Sequence, residues 1–90
     1  MSSTYTIDEK KIIYADLDPK EGVVLNLDTK NYYRLNETAQ RIWQGLSARK
    51  TLEAIAEELS RDYEVTKEEA LRDVHDLLAE LKRESLLGTP

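Results

Sequence analysis

The chain has 90 residues, with 13 lysines and arginines against 18 aspartates and glutamates, a formal net charge of −5. That length fits one domain with a small core, and the acidity argues against general nucleic-acid binding, where phosphate contacts need a basic face. There is no cysteine, which excludes disulfides, thiol nucleophiles and cysteine-bound zinc.

A small secreted domain would often carry disulfide staples, so a reducing cytoplasm is the expected location. The run from Met1 to Lys10 lacks a signal peptide's apolar stretch, and no segment approaches the about 18 apolar residues of a membrane span. Residues 1–10 are polar and are expected to form a flexible N-terminal segment.

Lys11 to Ala15 is β-prone and predicts a first strand. Asp16 to Gly22 reads as a loop punctuated by Pro19 and Gly22. Val23 to Leu27 predicts a second strand, Asp28 to Asn31 a turn, and Tyr32 to Leu35 a third strand. A three-residue hairpin loop gathers Val23, Leu25, Leu27, Tyr33 and Leu35 on one face and buries more apolar surface than a two-residue loop. It needs a left-handed residue, a conformation that Asn31 tolerates. An isolated hairpin is marginal in water, so this one must lie on helices. Its second strand is a candidate sheet edge, and an exposed edge is a peptide-binding device.

Three helices follow. Asn36 is a good N-cap for the first, with Ala39, Ile42, Trp43 and Leu46 at helical spacing and an end at Gly45 or Ser47. The second starts near Thr51 and carries Leu52, Ile55, Ala56, Leu59 and Tyr63 on one stripe. The third opens with a capping box from Thr66 to Glu69 and stops before Gly88. The expected lengths are about 10, 12 and 20 residues. Three antiparallel strands followed by three helices make a small α+β domain, winged helix-turn-helix-like in outline.

The chemistry-bearing residues are sparse. His75 has no second histidine with which to share a metal, so it reads as a surface residue and no metal site is expected. Glu57, Glu58, Glu68, Glu69, Asp73 and Asp76 lie mostly opposite the apolar stripes, without a cleft to separate their pKa values. They read as solvated faces, partly paired as Glu57 to Arg61 and Glu68 to Arg72. Asp73 stands apart, since it lies beside the apolar stripe where it can rim a groove. Tyr32 and Tyr33 must point to opposite faces of the third strand. Trp43 is the core anchor of the first helix. With Gly22, Gly45 and Gly88 as its only glycines the chain has no phosphate loop, and it offers no nucleophile–base set. Neither catalysis nor a cofactor is expected.

The order and spacing of several short runs resemble the PqqD-like family. They are Val24-Leu25-Asn26-Leu27, then Tyr33-Arg34-Leu35-Asn36-Glu37-Thr38-Ala39, then Ile42-Trp43. Leu52-x-x-Ile55-Ala56-x-x-Leu59, Tyr63-x-Val65 and Asp73-Val74-x-x-Leu77-Leu78-x-x-Leu81 continue the pattern, so the resemblance covers residues 11–87 as one peptide-recognition domain. The resemblance implies a RiPP recognition element, a module that holds the leader of a ribosomally made precursor peptide and presents the rest to an enzyme. It implies that the leader adds as a strand beside the third strand, in a groove against the third helix. The Tyr32-Tyr33 pair looks most like the stand-alone recognition proteins of lasso-peptide pathways, whose partners are a precursor leader and a leader peptidase. The peptide chaperone of pyrroloquinoline quinone synthesis is the alternative within the family.

On this reading the peptide-binding residues are Tyr32, Tyr33, Arg34 and Leu35 on the strand and Ala70, Asp73, Val74, Leu77, Glu80 and Leu81 on the helix. At about 100° per residue, Leu71, Val74, Leu78 and Leu81 turn toward the other helices. Ala70, Asp73, Leu77 and Glu80 form the adjoining stripe that lines the groove, with Val74 and Leu81 at its floor. The leader's backbone is expected to bond to Tyr32, Tyr33 and Arg34, and the acidic rim to favour a leader with basic residues. The rival from another class is a winged-helix DNA-binding protein. Lys67 and Arg72 would serve it, but Glu68, Glu69, Asp73, Asp76 and Glu80 crowd the same helix.

Overall fold

The computed structural model describes residue 7, residues 10–84 and residue 86. Strands β1 (Ile12–Asp18), β2 (Glu21–Asn26) and β3 (Tyr32–Asn36) precede helices α1 (Glu37–Ser47), α2 (Leu52–Asp62) and α3 (Lys67–Arg83). The strands form one antiparallel sheet in the order β1-β2-β3. This is the α+β fold expected from the sequence. The expected flexible segment, residues 1–10, lies mostly outside the described residues. Within it, Ile7 packs against the core. The expected domain end at 87 also lies outside them, and α3 ends at Arg83, short of the expected run up to Gly88.

The sheet departs from expectation in two places. β1 runs on to Asp18 and β2 begins at Glu21, so a turn of Pro19 and Lys20 replaces the expected loop. Proline fits the first position of such a turn, and the Asp18 carboxylate accepts from the Lys20 N–H at 2.7 Å. Gly22 is a strand residue there because Tyr14 lies over it, and a Cβ at Gly22 would sit 2.8 Å from the Tyr14 ring.

The second departure is the hairpin register. Val24 pairs with Tyr33, Leu25 with Tyr32 and Gly22 with Leu35. Tyr33 and Leu35 face the helices as expected, but Val24 is the fully buried partner from β2, while Val23, Leu25 and Leu27 are only half-buried. The expected face of β2 is thus inverted, as a one-residue slip requires. The cause is Asn26, which turns inward. It is buried, and its side chain accepts from the N–H groups of Asp28 and Thr29 at 2.8 and 3.1 Å. Its backbone N–H donates to Asn31 and its carbonyl accepts from Lys30, both at 2.8 Å. The loop therefore spans Leu27 to Lys30, and the left-handed residue is Lys30 (φ 66°), not Asn31.

The helices follow their caps. Asn36, Thr51 and Thr66 each accept from the N–H three residues on, at 2.8, 3.1 and 3.1 Å. Helices α1 and α2 have 11 residues each and α3 has 17. Gly45 does not stop α1. It lets α2 approach, since a Cβ there would come 2.6 Å from Ile55 Cγ1. Trp43 is buried and stacks with Tyr14, ring centroids 6.4 Å apart. The expected pairs within helices, Glu57 to Arg61 and Glu68 to Arg72, give way to longer-range ones. Arg41 pairs with Asp62, and Lys50 with Glu58 at 2.7 Å. Exposed i,i+4 pairs contribute little, so tertiary geometry decides.

Helix α1 packs under β2 and β3, α2 packs on α1, and α3 packs chiefly on α2. Helix α3 approaches the sheet less closely than α1 does, which leaves a gap beside β3. Among the described residues no helix is long and apolar enough to cross a membrane.

Candidate functional site

Among the described residues, strand β3 has a neighbour on one side only. In an antiparallel ladder, directly opposed pairs alternate between those that exchange backbone hydrogen bonds and those that do not. The bond from the Asn26 N–H to the Asn31 carbonyl fixes the phase. Tyr33 and Leu35 therefore bond to β2, while the N–H and C=O groups of Tyr32 and Arg34 point to the open edge. This corrects the expectation for Tyr33, whose backbone is committed to the sheet.

The other edge, β1, is less suited to pairing. Its register shifts between Asp16 and Asp18, whereas β3 pairs with β2 without interruption. A bulge and inserted charges are ordinary devices for blunting an edge.

A groove of about 340 Å³ lies between β3, the first turns of α1 and the outer stripe of α3. Of the residues expected to bind peptide, Tyr33, Arg34, Asp73, Leu77 and Glu80 line it. Leu35, Ala70, Val74 and Leu81 are fully or almost fully buried and belong to the core beneath. Tyr32 is 65% exposed and points from the opposite face of the sheet. The groove also takes in Asn36, Thr38, Ala39, Ile42 and Asp76, which sequence reasoning did not assign to it. The signal was present for the α1 residues. An N-cap directly after an edge strand must bring the first helical turn to that edge. The signal for Asp76 was its helical spacing, three residues after Asp73 and four before Glu80.

A side-chain network fixes the α1 wall. The Tyr63 hydroxyl donates to Glu37 at 3.1 Å, Arg41 lies 5.8 Å from the Tyr63 ring centroid, and Arg41 pairs with Asp62. The Arg41 hydrogen bond holds the Asp62 carboxyl below the usual carboxylate range. Burial, then the Glu37 carboxylate, pushes the Tyr63 hydroxyl up. Together they tie the start of α1 to the end of α2.

The Tyr33 hydroxyl donates to Glu80, joining β3 to α3 across the groove. Arg34 pairs with Glu21 on β2. Asp73 and Asp76 are exposed on the rim. The groove thus has an apolar floor of Ile42, Ala39 and Leu77 and a negative rim on its helical side. Among the described residues no three His, Cys, Asp or Glu side chains come together to hold a metal, and His75 is exposed. An open strand edge beside a half-apolar groove is built to hold an extended chain.

The family described as Coenzyme PQQ synthesis protein D (PqqD) matches residues 21–87. Two solved structures share the fold over nearly the whole chain. One is TbiB1 in complex with the TbiA(beta) leader peptide, 32% identical, with a TM-score of 0.82 over 91% of this chain and 93% of that one. The other is a lasso peptide synthetase B1 complexed with the leader peptide, 30% identical, with a TM-score of 0.81 over 96% of this chain and 98% of that one. No curated protein matches the chain. The family match and the two relatives show that the chain belongs to the PqqD family, as a PqqD-like RiPP recognition element.

Proposed function

We propose that this protein binds the leader of a ribosomally made precursor peptide as a fourth strand on β3 and hands the precursor to a processing enzyme, a leader peptidase of lasso-peptide biosynthesis, in the cytoplasm. The observation that carries this reading is the uninterrupted open edge of β3 beside the groove. Two relatives of at least 30% identity are leader-peptide complexes, which supports the same assignment. Leader backbone bonds go to Tyr32 and Arg34, while side chains of alternate leader residues enter the groove against Tyr33, Asp73, Leu77 and Glu80. Ala70, Val74, Leu81 and Leu35 support its walls from below.

The protein performs no chemistry on the peptide in this account. It orders a flexible segment, and the entropy cost of that ordering is offset by strand pairing and by anchors in the groove. The acidic outer face of α3 disfavours the DNA-binding alternative. The test is calorimetry with a synthetic lasso-precursor leader peptide, followed by mass spectrometry of the peptide. The expected result is a Kd in the micromolar range or tighter, about −8 kcal/mol, with the peptide recovered unchanged. Undetectable binding at high micromolar concentration contradicts the reading.

A further inference from the structure

Resting on that reading, we infer that the groove selects a peptide in which a basic residue lies two positions from a large apolar anchor, on the same face of the bound strand. The basic residue is read by Asp73 and Asp76 and the anchor by Leu77.

Two repeats meet in the groove. Side chains of an extended strand return to the same face every second residue, about 6.8 Å apart. Along α3, side chains return to the same stripe about every fourth residue, a rise of about 6 Å. Asp73 and Leu77 are one such pair, and both line the groove. Where a strand held on the outward groups of Tyr32 and Arg34 runs along α3, consecutive groove-facing side chains fall against Leu77 and against Asp73.

The charges then choose the residue. Three carboxylates line the groove, those of Asp73, Asp76 and Glu80. Glu80 is occupied by the Tyr33 hydroxyl. Among the described residues Arg34 is the one cation lining the groove, and it is paired with Glu21 on the sheet side. Asp73 and Asp76 remain, three residues and so about one helical turn apart on the same face of α3. A second recess that shares Asp73 is lined by Thr66, Glu68, Glu69 and Arg72. An acidic side chain at this position of the peptide meets repulsion, and a lysine or arginine meets two carboxylates. Leu77, backed by Ala39 and Ile42, offers only apolar surface to the neighbouring groove-facing residue. Residues of the other parity project beside Tyr32, on the opposite face of the sheet, and do not meet these carboxylates.

The test is selection from a displayed library of random 15-residue peptides on the full chain and on the variant carrying Asp73→Lys and Asp76→Lys. Both positions are exposed, and circular dichroism verifies the fold. The wild type is expected to enrich Lys or Arg two positions from a large apolar residue, and the charge-reversed variant Asp or Glu at that position. Replacing the base by Ala in a selected peptide is expected to weaken binding about fivefold for each carboxylate engaged, and less at high salt. Charge-blind selection, or the same base enriched by both proteins, overturns the inference. An Arg34→Pro variant separates the two levels of the argument. If selected peptides lose binding to it but show no charge pattern, the inference fails and strand addition stands. If they bind it as they bind the wild type, or if nothing is enriched, both fail.

Discussion

Tyr33 on the edge strand and Glu80 on α3 are 47 positions apart in the chain, and the hydroxyl of one donates to the carboxylate of the other. This bond ties the edge strand to α3 across the groove, and so sets the width of the groove between them. Tyr33→Phe keeps the ring and removes the tie. The expected outcome is a stability loss of about 1 kcal/mol, below the range for a buried bond to a charged group because the site is half-exposed. Leader affinity should fall by more than stability does. Thermal melting and calorimetry on the same variant check this.

Leu77 and Leu78 are neighbours with different duties. Leu77 is 7% exposed and lines the groove, whereas Leu78 faces the helical core. Leu78→Ala should cost about 2–5 kcal/mol of stability. Leu77→Ala should cost less, because one side of it is already open, and should weaken leader binding more. Denaturant melts and binding isotherms for both variants separate these effects. Equal stability losses with unchanged binding would place the anchor pocket elsewhere.

Gly45 marks where α1 and α2 touch. Alanine ordinarily favours a helix over glycine by about 1 kcal/mol. At this position its Cβ would come 2.6 Å from Ile55 Cγ1. Gly45→Ala should therefore destabilise, by about 1–3 kcal/mol, and Ile55→Val in the same chain should recover part of the loss. Melting temperatures of the single and double variants decide it.

The helices were legible in the sequence because their signals are local. Asn36, Thr51 and Thr66 cap as their chemistry suggests, and the apolar stripes from Ile42 to Leu81 are the core. The inward face of β3 was legible for a related reason, since Tyr33 and Leu35 share a parity. The face of β2 was not. Counting apolar residues favoured Val23, Leu25 and Leu27, and no such count anticipates a buried asparagine that spends its oxygen on two turn amides. The candidate site was half legible. The α3 stripe of Asp73, Leu77 and Glu80 follows from helical period alone. The contribution of Thr38 and Ala39 depends on how α1 leaves the sheet, and the backbone roles of Tyr32 and Arg34 depend on the register. Both are tertiary facts.

That register gives the central claim its most direct test. Arg34 sends its N–H to the open edge, so proline there removes a donor the leader needs and no bond of the native sheet. Calorimetry with the cognate leader should compare wild type, Arg34→Ala and Arg34→Pro, with circular dichroism confirming an unchanged fold. The expected loss is tenfold or more for Arg34→Pro, about 1.4 kcal/mol or more, and much smaller for Arg34→Ala, which keeps the N–H. Wild-type affinity in a folded Arg34→Pro variant would contradict strand addition on β3.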